Sequence, residues 1–167
     1  MLNLNAIKGV IFDLDGTLVS SNLNFSQIRK DIGCPQHIDI LSFIDSLPEE
    51  ERVEAEAIVI QHELNDAVDA KLLKNGTQML EQVNKASLPM AIVTRNCSKA
   101  TNMKMTNNHI DISLVITRDD APPKPDPSAL LDIAAHWGIP VEHILYVGDY
   151  IYDQQAAERA GMQWVLV

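Results

Sequence analysis

Cysteine is scarce in this sequence. Cys34 and Cys97 are the only two among 167 residues, and they form no C-x-x-C pair. That excludes a disulfide framework and a thiolate metal site, and reduced thiols are expected. The five histidines, His37, His62, His109, His136 and His143, lack ligand spacing, so each reads as a surface or packing residue. No apolar run approaches the ~20 residues of a membrane span. The start "MLNLNAIKG" has neither the charged lead nor the long apolar stretch of a secretory signal, so a cytoplasmic protein away from the membrane is expected. Positive charge is not in excess either. The formal net charge of −10 argues against nucleic acid as a partner, and an anionic substrate would need a local cation or lysine. Repeats and low-complexity tracts are missing. The acidic run "PEEERVEAEA" reads as a solvated helix face.

What is present is a core. Hydrophobic residues make up 46% of the chain, enough for one domain with a small appendage. Five short apolar runs, "GVIFD" (9–13), "MAIVT" (90–94), "LVIT" (114–117), "ILYVGD" (144–149) and "WVLV" (164–167), lack strict alternation, as strands buried on both faces do. Helical patterns separate them. Thr77 is placed to cap one helix running to Lys85, and Ser98 another running to about Asn107. Asp126 and Pro127 open a third that Gly138 stops, and Gly161 closes a fourth over 153–161. The alternation from residue 75 onward predicts an α/β fold, a Rossmann-like parallel sheet flanked by helices on both sides. The segment from Val19 to Leu73 breaks that rhythm. "NFSQIRKDIG" reads as a short helix. Val53, Ala57, Ile60, Leu64 and Val68 recur at helical spacing behind a Ser46/Glu49 capping box. The expected organisation is a core of residues 1–18 and 74–167, with a small all-helical subdomain of residues 19–73 over the carboxyl edge of the sheet.

Ligands of open α/β sheets bind beyond the carboxyl ends of the strands. Three runs end there in a polar residue, Asp13, Thr94 and Asp149, with Asp15 and Lys124 close to the same motifs. Carboxylates crowded together raise one another's pKa unless a cation sits among them. Oxygen ligands without histidine or cysteine suit Mg²⁺, which favours a few carboxylates, water and a substrate phosphate. Lys124 and backbone amides near Gly16 and Arg95 are placed to hold phosphate oxygens. A carboxylate beside that phosphorus is able to attack it.

The motifs carry a resemblance. "FDLDGTLV" resembles the first motif, D-x-D-x-T, of the haloacid dehalogenase superfamily. "AIVT" is similar to the second, Lys124 in "APPKPDP" to the third, and "VGDYIYD" to the fourth, G-D-x-x-x-D, all in the family's order. The phosphatase branch with a helical cap, phosphoglycolate-phosphatase-like, fits best. The resemblance implies Mg²⁺-dependent hydrolysis of a small phosphorylated metabolite through an aspartyl-phosphate on Asp13. Asp15 would be general acid and base and would lend its carbonyl to the metal, with Asp13 and Asp149 as the carboxylate ligands. Thr94, Arg95 and Lys124 would bind the phosphate. Asp153 would support the metal shell or orient Lys124. Gly16 allows a sharp turn, and Thr17 is expected to hold the motif loop. Asn96 either shapes the phosphate loop or caps the next helix. Arg29 and Lys30 read as a solvated face, with a leaving-group contact as the alternative. Dehalogenation is disfavoured, because dehalogenases of the family lack an acid at the position of Asp15. A phosphomutase acting on a sugar phosphate and a non-catalytic binding protein on the same scaffold remain as rival readings.

Overall fold

The computed structural model describes all 167 residues. Each of the five apolar runs holds a strand: β1 (Gly9–Phe12), β2 (Met90–Val93), β3 (Leu114–Ile116), β4 (Ile144–Gly148) and β5 (Gln163–Leu166). They pair in parallel in the order β3-β2-β1-β4-β5. From the central β1 the chain goes to β2 on one side and returns to β4 on the other. The ends of these three strands therefore lie side by side at the point where the winding reverses, where open sheets of this kind bind ligands.

Seven α-helices and one 3-10 turn (Val141–His143) complete the chain: α1 (Phe25–Ile32), α2 (Ile40–Asp45), α3 (Glu49–Asp69), α4 (Lys74–Lys85), α5 (Ser98–Asn107), α6 (Ser128–Trp137) and α7 (Ile151–Ala160). None is long and apolar enough to cross a membrane. Alternate residues of the central strands feed two cores, one on each face of the sheet. Val10, Phe12, Ile92 and Val147 pack with Met79 and Val83 of α4 and Met105 of α5. Ile11, Ala91, Val93 and Tyr146 pack with Leu130 and Ile133 of α6 and Ala156 and Ala157 of α7. Burial on both sides explains why these strands read as unbroken apolar runs. The last run differs, because β5 is an exposed edge with Trp164 at 39% and Leu166 at 38% accessibility.

Gly138 and Gly161 end their helices where the sequence places them, and Gly33 ends α1 in the same way; all three take the left-handed conformation. The starts are less regular. The fourth helix begins at Lys74, so Thr77 lies inside it and bonds the Leu73 carbonyl at 3.2 Å. Ser98 is the first residue of α5, after Cys97. Asp126 precedes α6 and accepts from the Ser128 amide at 2.8 Å. Ser46 closes α2, so no capping box opens α3, whose first turn instead carries Glu49, Glu50 and Glu51 at the positive end of the helix dipole.

Between β1 and α4 the chain inserts α1, α2 and α3, which share a small core of Ile28, Cys34, Ile40, Ile44, Ala55 and Val59. The buried stripe of α3 is Ala55, Val59, Glu63 and Ala67. Val53 and Val68 are instead exposed at 61% and 60%. The insertion leaves and rejoins the sheet at one place, where Val19 and Leu72 form an antiparallel bridge. The Ser20 amide bonds the Lys71 carbonyl and the Leu73 amide the Leu18 carbonyl, both at 2.8 Å.

Candidate active site

Asp13 follows directly on β1, and Phe12 is paired with Ile92 on one side and Val147 on the other. That register delivers Asp13, Thr94 and Asp149 to one edge. Lys124 arrives there from the loop before α6. All four line one cavity of about 540 Å³, closed on its far side by Leu23, Ile28, Asp39 and Val59 of the insertion.

Lys124 organises the floor. Only 2% of its side chain is exposed, and its ammonium reaches Asp13 at 2.9 Å, Asp153 at 2.7 Å, the Tyr146 hydroxyl at 2.6 Å and the Val93 carbonyl at 2.8 Å. Burial works to lower its pKa, but Asp13 and Asp153 outweigh burial and the ammonium is held above its ordinary value. Tyr146 in turn donates to Asp153 at 2.9 Å, and burial raises its phenol so far that it stays a neutral hydroxyl. The other Asp153 oxygen accepts the backbone amides of Asp149 and Tyr150, each at 3.1 Å. Burial opposes the Asp153 charge, yet Lys124, Tyr146 and the Tyr150 amide together keep this carboxyl below the ordinary range. Both Asp153 oxygens are thus committed to orienting their neighbours.

Asp13 differs. One oxygen meets Lys124; burial, with the charges of Asp153 and Asp15, raises its pKa well above the ordinary value despite that lysine. Asp149 is raised as well, by desolvation first and by Asp153 in addition. Ligand oxygens of Asp13, Asp149 and Asp153 lie within 4.8 Å of one another. Three oxygen donors with no nitrogen or sulfur among them make a cluster suited to a hard divalent cation.

Gly16 sits at φ +75°, and a Cβ there would stand 2.1 Å from Asp149 Oδ2. The obstacle to a side chain is therefore the aspartate from β4. Gly16→Ala is expected to displace Asp149, to lower the melting temperature and to reduce kcat/KM by at least about tenfold. Left-handed backbone in a non-glycine residue alone costs roughly 1 kcal/mol. Thermal melts and initial rates on the same preparation check it.

The other residues singled out in the sequence gather at the same place. The Thr94 hydroxyl accepts the Asn96 amide at 3.2 Å. Asn96 caps no helix; its side-chain amide holds Asp15 Oδ2 at 2.9 Å. The Arg95 guanidinium bonds the Lys124 carbonyl, pairs with Asp39 of the insertion at 2.6 Å and stacks 4.9 Å over Tyr152. Its backbone amide and that of Asp15 make no protein hydrogen bond, whereas Gly16 gives its own to the Val19 carbonyl. Thr17 is buried with its hydroxyl unpartnered, and only its amide closes the turn, onto Leu14. Arg29 lines the cavity while bonding the Pro35 and Ile38 carbonyls at 2.7 and 2.5 Å. Cys97 is buried and its thiol is raised by desolvation, which suits packing.

Two further side chains at the site, Tyr146 and Lys104, are not singled out by the sequence motifs. Tyr146 is one residue of the apolar run 144–149, and nothing local shows that its hydroxyl meets Lys124. Lys104 lies outside every motif. Its one signal was its place on the stripe Ala100, Thr101, Lys104 and Met105, which is the buried face of α5.

A floor of aspartates around a buried lysine, beneath a helical insertion, is the make of a phosphatase-like hydrolase. Comparison with known proteins gives the family. The haloacid dehalogenase-like hydrolase family matches residues 21–167, and the chain belongs to it. An uncharacterised hydrolase of Saccharomyces cerevisiae is 33% identical over 98% of this chain and 78% of its own, a span that takes in the first motif. A phosphoglycolate phosphatase of Yersinia pestis is 27% identical over 96% of this chain and 81% of its own. Among solved structures, a hydrolase from Pseudomonas syringae superposes with a TM-score of 0.77 at 24% identity, covering 95% of this chain and 83% of that one, a likeness of fold.

Proposed function

We propose that this protein hydrolyses a small phosphate monoester through an aspartyl-phosphate on Asp13. The observation that carries the reading is Lys124, fixed between Asp13 and Asp153 at the edge of the cavity. In the first step a carboxylate oxygen of Asp13 bonds to phosphorus as the ester P–O bond breaks. Asp15 delivers a proton to the departing oxygen. In the second step Asp15 takes a proton from water as that water attacks the phosphorus, and the Asp13–phosphorus bond breaks to release phosphate. Lys124, Thr94 and the amides of Asp15 and Arg95 hold the phosphate oxygens, and the fixed ammonium meets negative charge as it develops.

The oxygen set suits Mg²⁺, held by Asp13, Asp149 and the Asp15 carbonyl, which accepts no backbone hydrogen bond. Asp153, with both oxygens occupied, orients Lys124 and the Asp149 backbone. A bound Mg²⁺ would offset the repulsion between the attacking carboxylate and the phosphate. In this reading residues 1–18 and 74–167 are the catalytic core, and residues 19–73 are a cap that shuts out water and contacts the leaving group. A cavity of about 540 Å³ is of metabolite size.

A phosphate-release screen with Mg²⁺ over phosphoglycolate, sugar phosphates and nucleoside monophosphates tests the reading. Metal-dependent release from at least one ester is expected, and inertness across the panel would return the chain to the binding-protein alternative. EDTA should abolish release and Mg²⁺ restore it. Mg²⁺ should also raise the melting temperature, since a ligand at a hundred times its Kd stabilises by about 2.7 kcal/mol. Asp149→Asn should lose that rise, and a variant that kept it in full would remove Asp149 from the metal site.

A further inference from the structure

Lys104 lies on α5, outside the four motifs, with its side chain wholly buried. Its ammonium bonds Asp15 Oδ1 at 2.7 Å and Asp66 Oδ2 at 2.8 Å. Asp15 belongs to the motif loop after β1, whereas Asp66 belongs to the last turn of α3 in the insertion. Asp66 also accepts the Asn22 amide at 2.6 Å and the Ser21 hydroxyl at 3.1 Å, both on the segment that leads into the insertion. One turn beyond Lys104, Asn108 accepts the Leu72 amide at 2.7 Å and donates to the Ala70 carbonyl at 3.0 Å, on the segment leading out. Lys104 and Asn108, at the C-terminal end of α5, thus hold the outgoing connection directly, the incoming one through Asp66, and, through Lys104, the Asp15 carboxylate.

Stability does not account for this lysine. Burying an ammonium and carboxylates costs several kcal/mol in desolvation, and apolar side chains in place of the whole set would fill the space without that cost. What the ion pairs supply is position. Asn96 fixes one Asp15 oxygen and Lys104 the other, and the Lys104 end is referred to the insertion through Asp66. We propose that Lys104 is a positioning residue that sets the Asp15 carboxylate in register with the helical insertion, so that proton delivery to the leaving group depends on where the insertion sits. This inference rests on the hydrolytic reading above, with Asp15 as the acid.

Leaving-group dependence of kcat/KM tests it, because that quantity reports the first step, in which Asp15 protonates the departing oxygen. p-Nitrophenyl phosphate departs with little need of a proton; the best alkyl ester of the release screen does not. Lys104→Met should lower kcat/KM for the alkyl ester by about 10²-fold, the scale of a lost general acid, and for p-nitrophenyl phosphate by less than about fivefold. Asp66→Asn leaves Lys104 in place but turns an amide donor or an uncharged acceptor toward it. The same selective loss is expected, smaller, at about tenfold for the alkyl ester. This second variant carries the test where Lys104→Met fails to fold. Equal losses on both esters, or none, overturn the inference and leave the hydrolytic reading intact. A wild-type protein inert toward both esters overturns that reading, and this inference with it.

Discussion

Asp13→Asn abolishes phosphate release while the protein stays folded. The loss expected is on the order of 10⁴-fold or more in kcat, as for a removed nucleophile, because the amide keeps the shape and lacks the attacking oxygen. The structure argues that stability will not fall with it. Burial makes the Asp13 charge unfavourable, and Lys124 keeps Asp153 as its partner when that charge is gone. The sign of the pH effect follows. Asp13 has a folded pKa above its unfolded one, so its contribution to stability is fully present below the unfolded value and is lost as pH rises through the folded value. In EDTA the wild type should therefore lose some melting temperature over that interval, and Asp13→Asn should lose less. Phosphate release and thermal melts on the same samples check both halves. Wild-type rates in the variant would strip Asp13 of the role given to it.

Lys124→Met has the larger effect on folding. The ammonium has three protons for four acceptors: Asp13, Asp153, Tyr146 and the Val93 carbonyl. Without it two carboxylates remain buried against each other. Breaking a buried ion pair from one side destabilises by about 3–5 kcal/mol. In a chain of this size that lowers the melting temperature by roughly 10 °C or more. Turnover should vanish too, since no cation then faces the phosphate. Adding Asp153→Asn to Lys124→Met removes one stranded charge, so the double variant should recover much of the stability and none of the activity. A single variant that melts with the wild type would show the lysine to be unpaired in solution.

These effects were partly legible in the sequence. Runs of β-branched and aliphatic residues ended at Asp13, Thr94 and Asp149, and the sheet sets those ends beside one another because β1 lies between β2 and β4. Gly138 and Gly161 marked two helix ends, since a left-handed residue is a local requirement. The face of α3 was not legible. Spacing of apolar residues pointed to Val53 and Val68, while the buried stripe contains Glu63. Its charge is met by Arg118, just beyond β3, with the Cys97 amide on its other oxygen at 3.3 Å. Lys104 was hidden for the same reason, as its partners lie 38 and 89 residues away along the chain. A charged side chain can occupy a core position when its counterion comes from a remote segment, and hydrophobic periodicity is blind to that pairing.

The bridge between Val19 and Leu72 bears on what the sheet is able to carry. With both crossings pinned together, lengthening the excursion between them costs only about 0.6 kcal/mol per doubling. Length is thus nearly free, whereas the underside is not. Any replacement for this excursion would have to present carboxylates where Asp39, Glu63 and Asp66 stand, or leave Arg95 and Arg118 without counterions and Lys104 with Asp15 alone. A transplanted lid, grafted at that seam, would be rejected by its charges long before it was rejected by its size.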